Sequence, residues 1–129
     1  MSTYEQKRPG SIIWHDITVP EATHLREFYE AVVGWRSEPV DVHGHEDFNM
    51  FAPGATDPVA GICHAIGDIA GLPPQWLMYT VVPDLDESVK NCGELGGAVI
   101  FGPNEDGMGG KFCVIQDPAG AVMALIQPA

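Results

Sequence analysis

Positive charge is scarce in this chain. Six Lys and Arg stand against eighteen Asp and Glu among 129 residues, for a formal net charge of −12. A surface of that sign repels phosphate backbones and anionic headgroups, so no nucleic-acid partner and no membrane partner is expected. Cysteine is also sparse, with only Cys63, Cys92 and Cys113, each in an apolar stretch. An odd, small number excludes a disulfide framework and predicts buried free thiols in a reducing compartment. Long apolar runs are missing too. None approaches the roughly 18 residues of a membrane span, and residues 1–10 read as a polar arm without the apolar core of a signal peptide. The expected localisation is cytoplasmic. What remains is ample core material: 45% hydrophobic against 19% charged residues, which disfavours disorder and fits one compact domain of two halves.

Residues 11–19 read as a strand rich in β-branched side chains and closed by Pro20. Residues 21–33 read as a helix, with Leu25, Phe28, Tyr29, Val32 and Val33 forming one stripe, Glu21 in the first turn and Gly34 as the stop. Strands are predicted over 35–42, 48–52 and 59–66, with a turn at 43–47 and a linker at 67–74. The same order then returns. A strand over 75–82 is broken at Pro83, and Asp84 opens a second helix with Glu87 at the capping-box position. Leu85, Val89, Cys92 and Leu95 form its stripe, Gly96-Gly97 ends it, and strands follow over 98–102, 111–116 and 121–127. Val19-Pro20-Glu21 matches Val82-Pro83-Asp84, and Gly34 matches Gly97 at the same offset. This predicts two copies of a βαβββ unit, over 11–66 and 75–129, making one α+β domain.

Phe28-Tyr29, Val33-Gly34-Trp35, Leu95-Gly96-Gly97 and Asp117-Pro118-Ala119-Gly120 resemble landmarks of the glyoxalase/bleomycin-resistance/dioxygenase superfamily, the vicinal oxygen chelate proteins. The likeness spans residues 11–127. It implies an open, curled mixed β-sheet around a cavity, with the helices outside, and a small-molecule ligand. It also implies a homodimer. Metal-dependent members of that superfamily, lactoylglutathione lyase-like enzymes among them, hold a divalent ion with His, Gln or Glu at four strand positions. On this chain the resemblance places three of those positions on Trp14, Leu77 and Ala124, with His64 near the fourth. Indole, isobutyl and methyl groups offer a metal no ligand, and zinc, iron or nickel needs three or four donors. No cofactor is therefore expected.

Strand alternation sets the candidate chemistry. With Ile17 and Val19 facing the helices, Trp14, Asp16 and Thr18 face the other way, as do Leu77, Tyr79 and Val81 in the second half. Asp16 is the candidate general base or substrate-orienting acceptor, since burial beside aromatic rings favours the protonated acid. A surface carboxylate held by a hydroxyl or by Arg36 is the competing reading. Tyr79 could donate to a substrate oxygen or simply pack, and His64 could move a proton near neutral pH. Trp14 offers a stacking wall. A one-residue slip would turn His15 inward, and a site of His15, His64 and Asp16 could then hold a divalent metal. His43 and His45 read as turn residues, and the glycine-rich loop at 103–110 as a flap.

Three functions compete on this reading. One is an enzyme using Asp16, Tyr79 and His64 without the usual metal. Another is a non-catalytic protein that sequesters an apolar or aromatic compound, resembling bleomycin-resistance proteins. The third is a metal-dependent lyase or dioxygenase using His15 and His64. A dimeric ferredoxin-like αβ-barrel, with fewer strands per helix, is the rival fold, and six strands after the first helix in place of three would count against it.

Overall fold

The computed structural model describes residues 8–42 and 44–129. Most of the expected N-terminal arm, and all of His43, lie outside the described residues. The chain divides into two compact units, residues 15–76 and residues 8–14 with 77–129.

In the first unit, β1 (Ile12–Val19, whose residues from His15 belong here) leads into α1 (Ala22–Val32), β2 (Arg36–Val42), β3 (His45–Phe51) and β4 (Ala60–His64). The strand order is β2-β3-β4-β1. β3 runs antiparallel to both neighbours, while β1 runs parallel to β4 with Asp16 opposite Gly61 and Thr18 opposite Cys63. Period-two alternation sends Ile17, Phe48, Met50, Ala60 and Ile62 to one face, where they form a core against Leu25 and Tyr29 of α1. Ile62 and Met50 are wholly buried, each contributing about 1.5–3 kcal/mol. Trp35 and Trp76 complete this core, and the Trp76 indole N–H donates to the Tyr29 hydroxyl at 3.0 Å.

The second unit repeats this plan. β5 (Leu77–Val81) precedes α2 (Leu85–Glu94), β6 (Ala98–Glu105), β7 (Lys111–Gln116) and β8 (Val122–Gln127), in the order β5-β8-β7-β6. β5 is parallel to β8, as β1 is to β4. Leu85, Cys113 and Leu125 form its core with Val89, Val99, Ile115 and Met123. Backbone bonds from Gly10 N–H to Val81 O and from Val81 N–H to Ser11 O, both 2.8 Å, tie the residues before β1 to β5. Among the described residues, eight strands and two α-helices in this order make an α+β fold with a mixed sheet. Among the described residues seven strands, β2 to β8, follow α1, and this excess of strands over helices counts against the ferredoxin-like rival.

Several expectations need correction. The five-residue stripe on α1 is too wide for the surface it meets: Leu25 and Tyr29 pack, while Phe28, Val32 and Val33 stay exposed. Leu95, expected in the buried stripe of α2, is exposed. Glu21 stands at the N-cap of α1 rather than in its first turn, and makes no side-chain cap bond. Asp84 does cap α2, accepting from the Glu87 N–H at 3.1 Å. β3 starts at His45 rather than at Phe48, because Val42–His45 and Val40–Asp47 pairing continues the ladder almost to the hairpin tip. β6 runs on to Glu105 across register shifts, so the glycine-rich loop shrinks to a turn in which Asp106 Oδ1 accepts from the Met108 and Gly110 N–H groups. No helix among the described residues is long and apolar enough to cross a membrane.

Candidate functional site

The face of the first unit's strands opposite α1 carries its polar chemistry. Ile17 is committed to the core, so Asp16 projects to the other face, half-buried. Asp47 lies on that face by the same rule, since its neighbour Phe48 is in the core. Cys63 sits between them: both carboxylates bear on its thiol, and Asp47 hydrogen-bonds it. Burial first, then Asp16 and Asp47, push the Cys63 thiol far above its ordinary range. It stays protonated and cannot serve as a nucleophile, as a reactive cysteine needs a thiolate. Burial, with Cys92 nearby, likewise raises Cys113 from 9.0 to about 11. All three cysteines are free thiols.

Asp47 is the hub of the group and is only 8% exposed. Its Oδ1 accepts the backbone N–H of His64 at 2.9 Å. The same oxygen lies 3.5 Å from His64 Nδ1 and 3.4 Å from His45 Nε2. Both nitrogens are shut off from solvent, yet neither meets hydrogen-bond geometry with a described partner. The two imidazoles stand edge to face, 6.1 Å apart at their centroids. The structure thus gathers Asp16, Asp47, Cys63, His64 and His45 in one unit.

Asp47 and His45 are absent from the sequence candidates. The signal was present: the strand starts at His45, directly after Gly44 at positive φ, and alternation then carries Asp47 to the face of Asp16. Arg36, the competing partner proposed for Asp16, is engaged elsewhere, paired with Glu38 and stacked over the Phe51 ring.

His15 lies on the helix side. It lines a pocket of about 260 Å³ with Trp35, Val59, Ala60 and Trp76. Trp14 and Tyr79 belong to the second unit. Trp14 is half-buried, while Tyr79 pairs in register with Ala124 and has its ring 6.3 Å from that of Phe112.

The superfamily's metal does not fit these residues. Leu77 and Ala124 are buried apolar side chains at two expected ligand positions, and the Trp14 indole at a third has no lone pair to give. Among the described residues, no group of three or more His, Cys, Asp or Glu could hold a metal ion, and this includes the combination of His15, His64 and Asp16.

Comparison with known proteins agrees with the fold. A family model described as a glyoxalase-like domain matches residues 13–126. CFP32 of Mycobacterium tuberculosis, a glyoxylase by name, is 29% identical over 120 residues, covering 93% of this chain and 45% of that protein. The anthracycline biosynthesis protein DnrV of Streptomyces peucetius is 28% identical over 128 residues, covering 91% of this chain and 46% of its own length. The chain therefore spans less than half the length of these relatives. A methylmalonyl-CoA epimerase in complex with methylmalonyl-CoA superposes with a TM-score of 0.55 at 17% identity, over 94% of this chain and 96% of that one. With the model match covering nearly its whole length, the chain belongs to the glyoxalase-like domain family, within the vicinal oxygen chelate superfamily.

Proposed function

We propose that the chain is an acid–base enzyme that moves protons on a small, uncharged carbonyl compound without the superfamily's usual metal. The observation that carries this reading is the polar group around Cys63: Asp16 and Asp47 share its strand face and bear on its protonated thiol, and Asp47 accepts the backbone N–H of His64. Asp16 takes the hydrogen from the carbon beside the carbonyl, and the electron pair moves to the carbonyl oxygen. His64 takes or returns the oxygen-bound proton. Return of the carbon proton to the other face, or to the neighbouring carbon, gives epimerisation or isomerisation. Two carboxylates in the group and a net charge of −12 oppose an anionic substrate.

Exchange of carbon-bound hydrogen for deuterium tests it, followed by proton NMR in heavy water with acetoin and dihydroxyacetone as probes. The native protein is expected to catalyse exchange, and Asp16→Asn to lose at least 100-fold, the lower end of a general base's contribution. Equal rates in the two proteins would sink the reading.

A second reading, sequestration of an aromatic compound, is favoured by the relative whose name places it in anthracycline biosynthesis. It expects tight binding of an anthraquinone, followed by tryptophan quenching, and unchanged affinity in Asp16→Asn.

A further inference from the structure

We infer that Asp47 is the positioning residue of His64, and that His45 competes with His64 for it. The inference rests on the acid–base reading above. A buried imidazole nitrogen without a partner is costly, and Asp47 Oδ1 lies 3.5 Å from His64 Nδ1. The bond from the His64 backbone N–H to that oxygen pins the start of the same side chain, so a small rotation of the ring closes the gap. Hydrogen bonds of this kind are often long before substrate binds. A carboxylate accepts and cannot donate, so a proton on His64 Nδ1 is favoured and Nε2 keeps its lone pair. Nε2 is then the nitrogen able to take a proton from substrate.

His45 Nε2 approaches the same oxygen from β3 at 3.4 Å. Oδ1 already receives the His64 backbone N–H, and Asp47 also accepts the Cys63 thiol. Oδ1 has two lone pairs and the backbone bond takes one, so a bond to one imidazole weakens the bond to the other. Removing His45 should strengthen the hold on His64.

Long-range proton–nitrogen NMR correlation of the full chain reads the imidazole tautomer directly, with the His64 signals identified by their loss in His64→Gln. In the native protein the Nδ1–H form of His64 is expected to outweigh the Nε2–H form. Asp47→Asn should shift the ratio at least threefold toward Nε2–H, and His45→Phe should shift it toward Nδ1–H. A dominant Nε2–H form in the native protein overturns the inference even should Asp47→Asn fail to fold. An unchanged ratio in folded Asp47→Asn overturns it as well, and a His45→Phe ratio that does not move removes the competition. No substrate enters this experiment. Failure of Asp16-dependent exchange would therefore sink the acid–base reading alone, and a wrong tautomer would sink the positioning role alone.

Discussion

The indole N–H of Trp76 donates to the hydroxyl of Tyr29 at 3.0 Å, joining the residue just before β5 to the buried side of α1 across 47 positions of sequence. Trp35 packs against both rings, at centroid distances of 5.5 and 5.8 Å. Tyr29→Phe keeps the ring and removes the acceptor, leaving a half-buried N–H without its partner. A loss of about 1 kcal/mol is expected, with little change in the slope of the denaturation curve. An unchanged midpoint in urea would show that solvent replaces the phenol.

The two helix starts make a matched pair. Asp84 accepts from the Glu87 N–H, whereas Glu21 makes no cap bond. Asp84→Ala should therefore cost about 1 kcal/mol and Glu21→Ala almost nothing, by the usual value of an N-cap. Thermal melts of the two variants should separate clearly. Similar losses would mean that helix-dipole charge, not the cap bond, sets the difference.

How far the sequence could be read follows from this contrast. The repeated Val-Pro-acid pattern and the glycine that ends each helix mark both βαβββ units, because turns and caps are local and need particular residues. The Asp84 cap is of that kind. Glu21 occupies the equivalent place with a longer side chain that does not fold back on the first turn. Alternation along β1 was equally legible, as Ile17 fixes one face and Asp16 follows on the other. The Asp47 group was harder to see. His43-Gly44-His45-Glu46-Asp47 is polar enough to read as a turn, and only ladder pairing with β2, a long-range property, extends the strand to His45. The width of the buried stripe on α1 was also out of reach, because the sheet it meets decides whether Phe28 and Val32 are covered.

Stability should fall in alkali. Cys113 rises from 9.0 in the open chain to about 11 in the fold, so the folded state holds its proton more tightly. The stabilisation is fully present below pH 9.0 and is lost as pH climbs through about 11. Cys63, shifted in the same direction, adds to the slope over the same range. Midpoints measured between pH 8 and 11 should drop more steeply for the native chain than for Cys113→Ala, each compared with its own value at pH 8. Parallel slopes would mean that the thiol is not held protonated by the fold.

The most direct measurement of the central claim is the deuterium-exchange rate of chelator-dialysed protein before and after adding zinc, nickel, cobalt or ferrous ion. Proton transfer through Asp16 predicts one rate throughout, with no stoichiometric metal retained after the additions. Exchange that is silent until an ion is restored, with one ion bound per chain, would contradict the account.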